Sequence, residues 1–257
     1  MLRRVVFNQK GGVGKTTIVC NLAAISAMRG LRTLVVDLDA QCNASQYLLS
    51  SGETQAAAGA ADFFESLVKR GRQKDDLESF ITPTPFENLD LVAAHPDLDD
   101  IRLRLEARHK IYNLRQALDQ LQGYDAVYFD TPPALNIYSQ SALIAASHCL
   151  IPFDCDDFAR QALYNLFDGI EEIREDHNPN LTIDGIVVNQ FQSQARLPAR
   201  LIEELRAEGH PLLDVHITSS VKVRESHEAS IPLVYHARSH KVAQQFNALY
   251  DLLAPAR

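Results

Sequence analysis

A glycine-rich run with two lysines is the part of the sequence best suited to chemistry. Glycines lack Cβ atoms, so consecutive backbone N–H groups can curl around phosphate oxygens. A helical pattern follows the run, and a helix N-terminus adds partial positive charge. The run extends from Phe7 to Thr17 and reads FNQKGGVGKTT. It predicts a phosphate-binding loop formed by Gly11, Gly12, Val13, Gly14, Lys15, Thr16 and Thr17.

Lys15 and Thr16 have the most direct roles in such a loop. A lysine at this place reaches the β- and γ-phosphates of a nucleotide, and the hydroxyl of the next residue ligates Mg²⁺. The strict pattern G-x-x-x-x-G-K-[ST] is not met, because Gln9 stands at its first position. A second lysine, Lys10, follows instead. The residues therefore predict a magnesium–nucleotide site built on a variant loop.

Three aspartates come at the ends of two other apolar runs. Asp37 and Asp39 close the segment VVDLDAQ, and Asp130 closes VYFD before Thr131. A lone aspartate at a strand end is more often a helix cap or a loop residue. Here three motifs fall in order at strand ends, which favours one shared site at the carboxyl edge of a sheet.

Short apolar runs alternate with longer helical patterns along the chain. Continuous apolar runs are typical of strands buried on both faces, as in a parallel sheet. The pattern predicts a single α/β domain over residues 1–257, with one doubly wound, mostly parallel sheet and helices on both faces. The predicted strands are Arg4–Phe7, Thr33–Asp37, Leu89–Ala93, Ala126–Phe129, Cys149–Phe153, Ile183–Val188 and Leu213–Ile217. The predicted helices are Thr16–Arg29, Ala61–Arg70, Asp99–Leu121, Asn136–Ala146, Phe158–Asp176, Leu197–Glu208 and Ser239–Leu253.

Composition excludes several classes of protein. With 46% hydrophobic and 23% charged residues in 257, the chain is neither disordered nor collagen-like nor a coiled coil. The four cysteines form no C-x-x-C pair, which argues against a zinc site or a disulfide framework. The stretch Thr131–Phe153 carries no formal charge, but prolines and polar residues interrupt it. We interpret it as a loop, a buried helix and a buried strand rather than a membrane span.

The net charge of −8 does not by itself indicate a nucleic-acid-binding protein. The charge is unevenly spread: residues 1–36 carry six basic groups and no acid, whereas residues 37–195 hold 26 of the 33 acids. Residues 196–257 carry eight basic and seven acidic groups. Any cationic surface is therefore expected to draw mainly on the two ends of the chain, unless the asymmetry is ordinary surface scatter.

With Lys10 in the loop, these motifs resemble the deviant Walker family of P-loop ATPases, which includes ParA partition proteins, MinD and nitrogenase iron protein. The resemblance spans nearly the whole chain. It implies ATP and Mg²⁺ as ligands and a face-to-face homodimer that forms with ATP. Lys10 and Lys15 would both serve catalysis, Lys10 by reaching the phosphates bound to the other subunit.

The same resemblance assigns roles to the aspartates. Asp39 would position the attacking water, Asp130 would hold Mg²⁺ through a water, and Asp37 would lie near the metal. The sequence departs from the family pattern at Ala40, where proline is usual, and at Cys42, where glycine is common. These departures predict a less rigid loop.

Asn189 ends a buried apolar run at the place where this family commonly reads the adenine edge. An asparagine there could equally serve only to satisfy a turn. The residues alone leave both interpretations open.

Of the three classes in the family, ParA fits best. Cys149 and Cys155 do not match the cluster cysteines of the iron protein. The end of the chain, with Asp251 and Pro255, does not resemble the basic membrane helix of MinD. The segment ITSSVKVRES resembles the part of ParA that carries a DNA-binding basic residue. The resemblance implies DNA contacts at Lys222, Arg224, Arg196 and Arg200.

The function implied is that of a ParA-like ATPase. Its ATP dimer would bind double-stranded DNA of any sequence and position or segregate a cargo. A ParB-like or other cargo adaptor would stimulate hydrolysis and release it. We expect a cytoplasmic, nucleoid-associated protein without an N-terminal helix-turn-helix and without a membrane partner. A MinD-like membrane-associated positioning ATPase is the alternative.

Overall fold

The computed structural model describes residues 1–49, 58–69, 76–155, 159–191 and 196–254. Within these ranges the strands are β1 (Leu2–Val6), β2 (Thr33–Asp37), β3 (Thr82–Pro83), β4 (Leu89–Val92), β5 (Ala126–Asp130), β6 (His148–Phe153), β7 (Thr182–Phe191) and β8 (Leu212–Thr218). They form one sheet in the order β3-β4-β2-β5-β1-β6-β7-β8. Neighbouring strands are parallel except β3 and β4, which are antiparallel. The predicted fold class is therefore confirmed, and β3 is an addition to it.

The helices fill the crossovers between these strands. They are α1 (Lys15–Met28), α2 (Asn43–Leu48), α3 (Ala60–Val68), α4 (Asp97–Glu106), α5 (Asn113–Gln120), α6 (Ile137–Ala145), α7 (Ala159–Asp176), α8 (Arg196–Ala207), α9 (Val221–Glu228), α10 (Leu233–His236) and α11 (Lys241–Leu253). The sequence did not predict α2, α9 or α10, which are too short to show a clear helical period. The predicted helix ends at Arg70 and Phe158 lie outside the described residues.

Helices cover both faces of the sheet, as the continuous apolar strands require. Successive strand residues point to opposite faces. Val36 and Phe129 belong to the hydrophobic core that includes residues of α3 to α8. Val35 and Tyr128 belong to the core that includes α1, α2, α10 and α11. The apolar face predicted for the last helix is buried in this second core at Val242, Phe246, Leu249 and Leu253.

The predicted helix Asp99–Leu121 was wrong as a single element. His109 adopts a left-handed conformation with φ 51°, which ends the helical path after α4. A short 3₁₀ turn, Lys110–Tyr112, then leads into α5. The apolar spacing that suggested one long helix is instead shared by α4 and α5, since Leu98, Leu105, Leu114 and Leu118 all lie in one core.

The four arginines near the start of the chain each pair with an acidic residue. Arg4 is buried: its Nε donates to Asp184 at 2.6 Å, and its guanidinium also donates to the Leu253 carbonyl at 2.9 Å. The other arginines of this region pair with acids, as Arg3–Asp119, Arg29–Asp251 and Arg32–Asp90. For these arginines the pairing with acids favours ordinary surface scatter over a cationic surface.

The uncharged stretch Thr131–Phe153 folds as predicted. Asn136 caps α6 by accepting hydrogen bonds from the backbone N–H groups of Tyr138 and Ser139. The helix then leads into β6, whose residues Cys149–Phe153 are buried. Among the described helices, none has the length and apolar character needed to cross a membrane.

Candidate functional site

Three neighbouring strands place the phosphate loop and the aspartates at one edge of the sheet. β5 lies between β1 and β2, and all three are parallel, so their carboxyl ends meet. The register pairs Asp130 with both Val6 and Asp37. The glycine-rich loop leaves β1 just after Val6. The structure therefore brings the loop and the aspartates together, as predicted.

Glycine geometry shapes the loop itself. Gly12 and Gly14 have φ values of 78° and 88°, a conformation that residues with a Cβ rarely adopt. A Cβ on Gly14 would lie 2.1 Å from Asn189 Nδ2, so close packing also excludes a side chain there. On the entry side, the Asn8 side chain donates to the Pro152 carbonyl at 2.8 Å and accepts from the Lys10 N–H at 2.9 Å. The loop is thus held before α1 begins.

Residues at the end of β7 hold the loop from the other side. Asn189 donates to the Val13 carbonyl at 2.8 Å, and Gln190 donates to the Gly12 carbonyl at 2.6 Å. In a trans peptide the carbonyl and the next N–H point in opposite directions. Fixing these two carbonyls therefore turns the N–H groups of Val13 and Gly14 away from β7. Asn189 supports the loop in this structure, and its reading of adenine stays a prediction.

Lys15 is buried beside the aspartates. Its Nζ donates to the Lys10 carbonyl at 3.2 Å, and only 7% of the residue is exposed. Burial lowers the pKa of Lys15, while the charges of Asp130 and Asp39 act to raise it. An ammonium in such a place is stabilised by any further anion that approaches, and a phosphate is such an anion.

Asp130 is buried and linked to the loop by Thr16. The Thr16 hydroxyl donates to Asp130 Oδ2 at 2.7 Å, whereas Oδ1 has no hydrogen-bond partner within the described ranges. Burial and the neighbouring Asp37 raise the pKa of Asp130. A buried carboxylate oxygen without a partner is costly unless a cation or water satisfies it. Thr16 and Asp130 therefore fit the hydroxyl and carboxylate set that holds hydrated Mg²⁺.

Asp37 lies next to Asp130 but faces its own loop. Its Oδ1 accepts from the Asp39 N–H at 3.1 Å, and its Oδ2 accepts from the Ser45 N–H at 2.9 Å and the Ser45 hydroxyl at 2.7 Å. Burial raises the pKa of Asp37 to about 6, although these hydrogen bonds act to lower it. These contacts favour Asp37 as the organiser of the turn that presents Asp39. Asp37 also lies beside Asp130, and its place near the metal stays a prediction.

Asp39 is half-buried at the start of that turn. Its Oδ1 accepts from the Gln41 N–H at 3.0 Å. The turn ends at Cys42, whose φ of 57° is left-handed and explains why glycine is common there in the family. The Cys42 thiol donates to the Ala40 carbonyl at 3.3 Å. The turn is hydrogen-bonded although it lacks both proline and glycine, and its lower rigidity stays a prediction.

The predicted DNA contacts lie on two helices that follow β7 and β8. Lys222 and Arg224 are exposed on α9, and Lys222 pairs with Glu225. Arg200 on α8 is exposed and donates to Glu204 at 2.8 Å. Arg196 begins α8, and its side chain lies outside the described part of the chain. Since β7 and β8 are parallel to β1 through β6, both helices start at the same edge as the phosphate loop.

Sequence reasoning missed four residues that shape this site. Gln190 holds the phosphate loop, and Ser45 holds the Asp37 carboxylate. His227 and Tyr47 contact each other beside Thr17. No local sequence pattern identifies these residues, because each contacts a residue that is distant in the sequence or beyond a turn of the chain. The one available signal was the unassigned polar residue directly after Asn189.

Comparisons with known proteins agree with this geometry. A family model described as an AAA domain matches residues 4–183. The chain is 31% identical to the chromosome partitioning protein ParA of Myxococcus xanthus, over 95% of this chain and 84% of that one. It is 32% identical to the chromosome-partitioning ATPase Soj of Thermus thermophilus, over 97% and 94%.

A solved structure shares the fold. Cobyrinic acid a,c-diamide synthase from Mycobacterium smegmatis, with a bound ATP analog and magnesium, superposes with a TM-score of 0.82 at 24% identity. The match covers 98% of this chain and 93% of that one. Together with the loop, the buried lysine and the paired aspartates, the family model and the ParA and Soj relatives establish the family. This chain belongs to the ParA/MinD family of P-loop ATPases.

Proposed function

We propose that this protein is a ParA-like ATPase whose ATP-bound dimer binds DNA without sequence preference and positions or segregates a cargo. The observation that supports it most is the buried set formed by Lys15, Thr16 and Asp130, with Lys10 in the same loop. A cargo-bound adaptor of the ParB type would stimulate hydrolysis and release the dimer. Binding to DNA would then associate the protein with the nucleoid.

Each residue of the set has a distinct task in this proposal. Lys15 and the N–H groups of the loop bind the phosphates, and Thr16 and Asp130 hold Mg²⁺. The metal, when bound, neutralises phosphate charge. Asp39 orients the attacking water from its turn. Nothing in this set needs to move far, because Asn8, Asn189 and Asp37 already fix the loops.

Replacing Lys10 with alanine tests the dimer. We expect Lys10→Ala to bind ATP and to remain monomeric with it, because the lysine side chain would contact phosphates only across the closed interface. Lys15 Nζ donates its hydrogen bond to the backbone carbonyl of Lys10, so that bond survives the change. Sedimentation equilibrium with a non-hydrolysable ATP analog should show dimerisation weakened at least about tenfold, the loss of one charge-assisted contact per site.

The matched control for this change is Lys69→Ala, which removes an exposed lysine at the end of α3 that pairs with Glu65 at 2.9 Å. It should dimerise like the unmodified protein. Normal dimerisation of Lys10→Ala with the ATP analog would remove the argument for a sandwich dimer.

DNA binding is proposed to depend on α9. The unmodified protein should bind two unrelated duplexes equally with ATP and Mg²⁺, and weakly with ADP, because the dimer joins two weak basic patches. At physiological salt the Debye length is about 8 Å, so distant acids are largely screened. Lys222→Glu should weaken binding to both duplexes about tenfold, flatten the salt dependence, and leave ATP hydrolysis without DNA unchanged. A gel shift across a salt series measures this.

Lys69→Glu is the control for the DNA experiment, since it makes the same charge change at another lysine paired with a glutamate. It should retain DNA binding. Glu225→Gln should strengthen binding by releasing Lys222 from its pair. Vesicle sedimentation runs alongside. ATP-dependent binding to vesicles with no DNA shift would reject the ParA-like proposal in favour of the MinD-like alternative.

A further inference from the structure

A histidine of α9 contacts the phosphate loop directly. His227 Nε2 lies 2.9 Å from the hydroxyl of Thr17, the third residue of α1. The imidazole ring is stacked on Tyr47 of α2, with ring centroids 3.8 Å apart and planes 16° from parallel. One side chain thus joins the loop after β1, the helix after the Asp39 turn, and the helix that carries Lys222.

A second set of hydrogen bonds joins α1 and α2 to α9 and to the next helix, α10. Asn21 donates to the Thr17 carbonyl at 2.8 Å and accepts from the Val234 N–H at 3.1 Å. The Tyr47 hydroxyl lies 2.7 Å from the Ser226 hydroxyl and accepts from the Leu233 N–H at 3.0 Å. Buried polar networks with every partner in place hold their members in one arrangement. Through this set the end of α9 is joined to α2, and α10 is joined to α1 and α2.

The histidine contributes two separable interactions. Burial lowers the pKa of His227, so the ring is neutral at neutral pH and carries one N–H and one lone pair. The contact with Thr17 is a hydrogen bond, and the contact with Tyr47 is ring packing. Lys222 precedes His227 by five residues, which is about 7.5 Å of helix rise. A displacement of Thr17 would therefore be transmitted from His227 to Lys222 along about one and a half turns of α9.

We propose that His227 is a positioning residue of the nucleotide site, which fixes the Thr17 hydroxyl and makes the order of α9 depend on the nucleotide in the loop. Nucleotide binding holds Thr17, Thr17 holds His227, and His227 holds α9. This inference goes beyond the proposed function, because it concerns nucleotide binding and α9 and does not require DNA.

Two substitutions separate the hydrogen bond from the packing. His227→Phe keeps a ring against Tyr47 and loses the bond to Thr17, whereas His227→Gln keeps a polar group within reach of Thr17 and loses the ring. We expect His227→Phe to weaken binding of a non-hydrolysable ATP analog with Mg²⁺ about fivefold, the usual value of one hydrogen bond. We expect His227→Gln to stay within about twofold of the unmodified protein. Isothermal titration measures both, and His236→Phe, an exposed histidine on α10, is the matched control.

Hydrogen–deuterium exchange of residues 221–228 gives the second readout. In the unmodified protein and in His227→Gln, the ATP analog should slow exchange of this segment. In His227→Phe it should not, even when the nucleotide site is saturated. A role in packing alone predicts the reverse order, with His227→Phe normal and His227→Gln impaired, and that result would overturn the proposal.

Thr17→Val removes the other partner of the same bond and decides the question if His227→Phe does not fold. It should also abolish the effect of nucleotide on exchange in α9. Combining it with His227→Phe should add no further loss of nucleotide affinity, because both changes delete one interaction. Additive losses would overturn the proposal. Failure of DNA binding would leave these readouts untouched, so the two proposals can fail separately.

Discussion

Asp39→Ala is expected to bind ATP with Mg²⁺ and to hydrolyse it at least about 100-fold more slowly, since positioned acid–base groups commonly contribute that much. The carboxylate lies half-buried on the turn that Asp37 organises, close enough to Lys15 and Asp130 to influence the pKa of both. Removing it raises the barrier to hydrolysis without deleting a phosphate contact. Phosphate release and isothermal titration measure the two effects separately, and sedimentation should show a persistent dimer with ATP.

Asp39→Asn separates the loss of charge from the loss of the hydrogen-bond acceptor. Asparagine retains an oxygen that can accept from the Gln41 N–H, so the turn keeps its hydrogen bond while the negative charge is lost. Equal loss of turnover in both variants would assign the effect to the charge. Normal turnover in Asp39→Ala would move the catalytic role to another group, with Asp37 the nearest candidate.

Lys15→Ala is expected to abolish ATP binding, with affinity reduced at least about 100-fold. A buried ammonium that contacts two phosphates makes charge-assisted hydrogen bonds, each roughly twice as strong as a neutral one. Its removal also leaves Asp130 and Asp39 without the positive charge that faces them. Isothermal titration with Mg²⁺ and ATP should show no heat of binding, and ATP should no longer raise the melting temperature.

Lys15→Met controls for volume, because it fills the same buried space without the charge. It should fail to bind ATP as Lys15→Ala does, while its fold remains measurable by circular dichroism. Unchanged ATP affinity in either variant would remove the phosphate-loop interpretation altogether.

Much of the architecture was predictable because it follows from local chemistry. The continuous apolar runs at Leu34–Val36 and Val127–Phe129 require burial on both faces, and that requirement alone indicates a parallel sheet between helices. Once the strands are parallel, aspartates at their carboxyl ends must lie near a loop at the same edge. Asp37, Asp130 and the phosphate loop were therefore found together without knowledge of any contact. The single-domain organisation stays a prediction.

The remainder depends on contacts that no local pattern reveals. His227 and Thr17 are 210 residues apart, and Arg4 and Asp184 are 180 apart. Counting charges could not show that Arg4 is buried, since a buried and an exposed arginine have the same sequence signal. The break at His109 was missed for a related reason: the apolar spacing continues across it because α4 and α5 share one core. The hydrogen bonds of Asp37 with Ser45 and with the Asp39 N–H were likewise not predicted.

The two hydrogen bonds that the side-chain amides of β7 donate to the phosphate loop can form only late in biosynthesis. Asn189 and Gln190 follow the carbonyls that they hold by 176 and 178 residues. At ribosomal rates of roughly 5 to 20 residues per second, the loop waits about 9 to 35 s for these supports after it is made. β1 also has no sheet neighbour until β5 has been translated. A nascent chain thus carries the nucleotide-binding motif before the residues that hold this loop in place have been made.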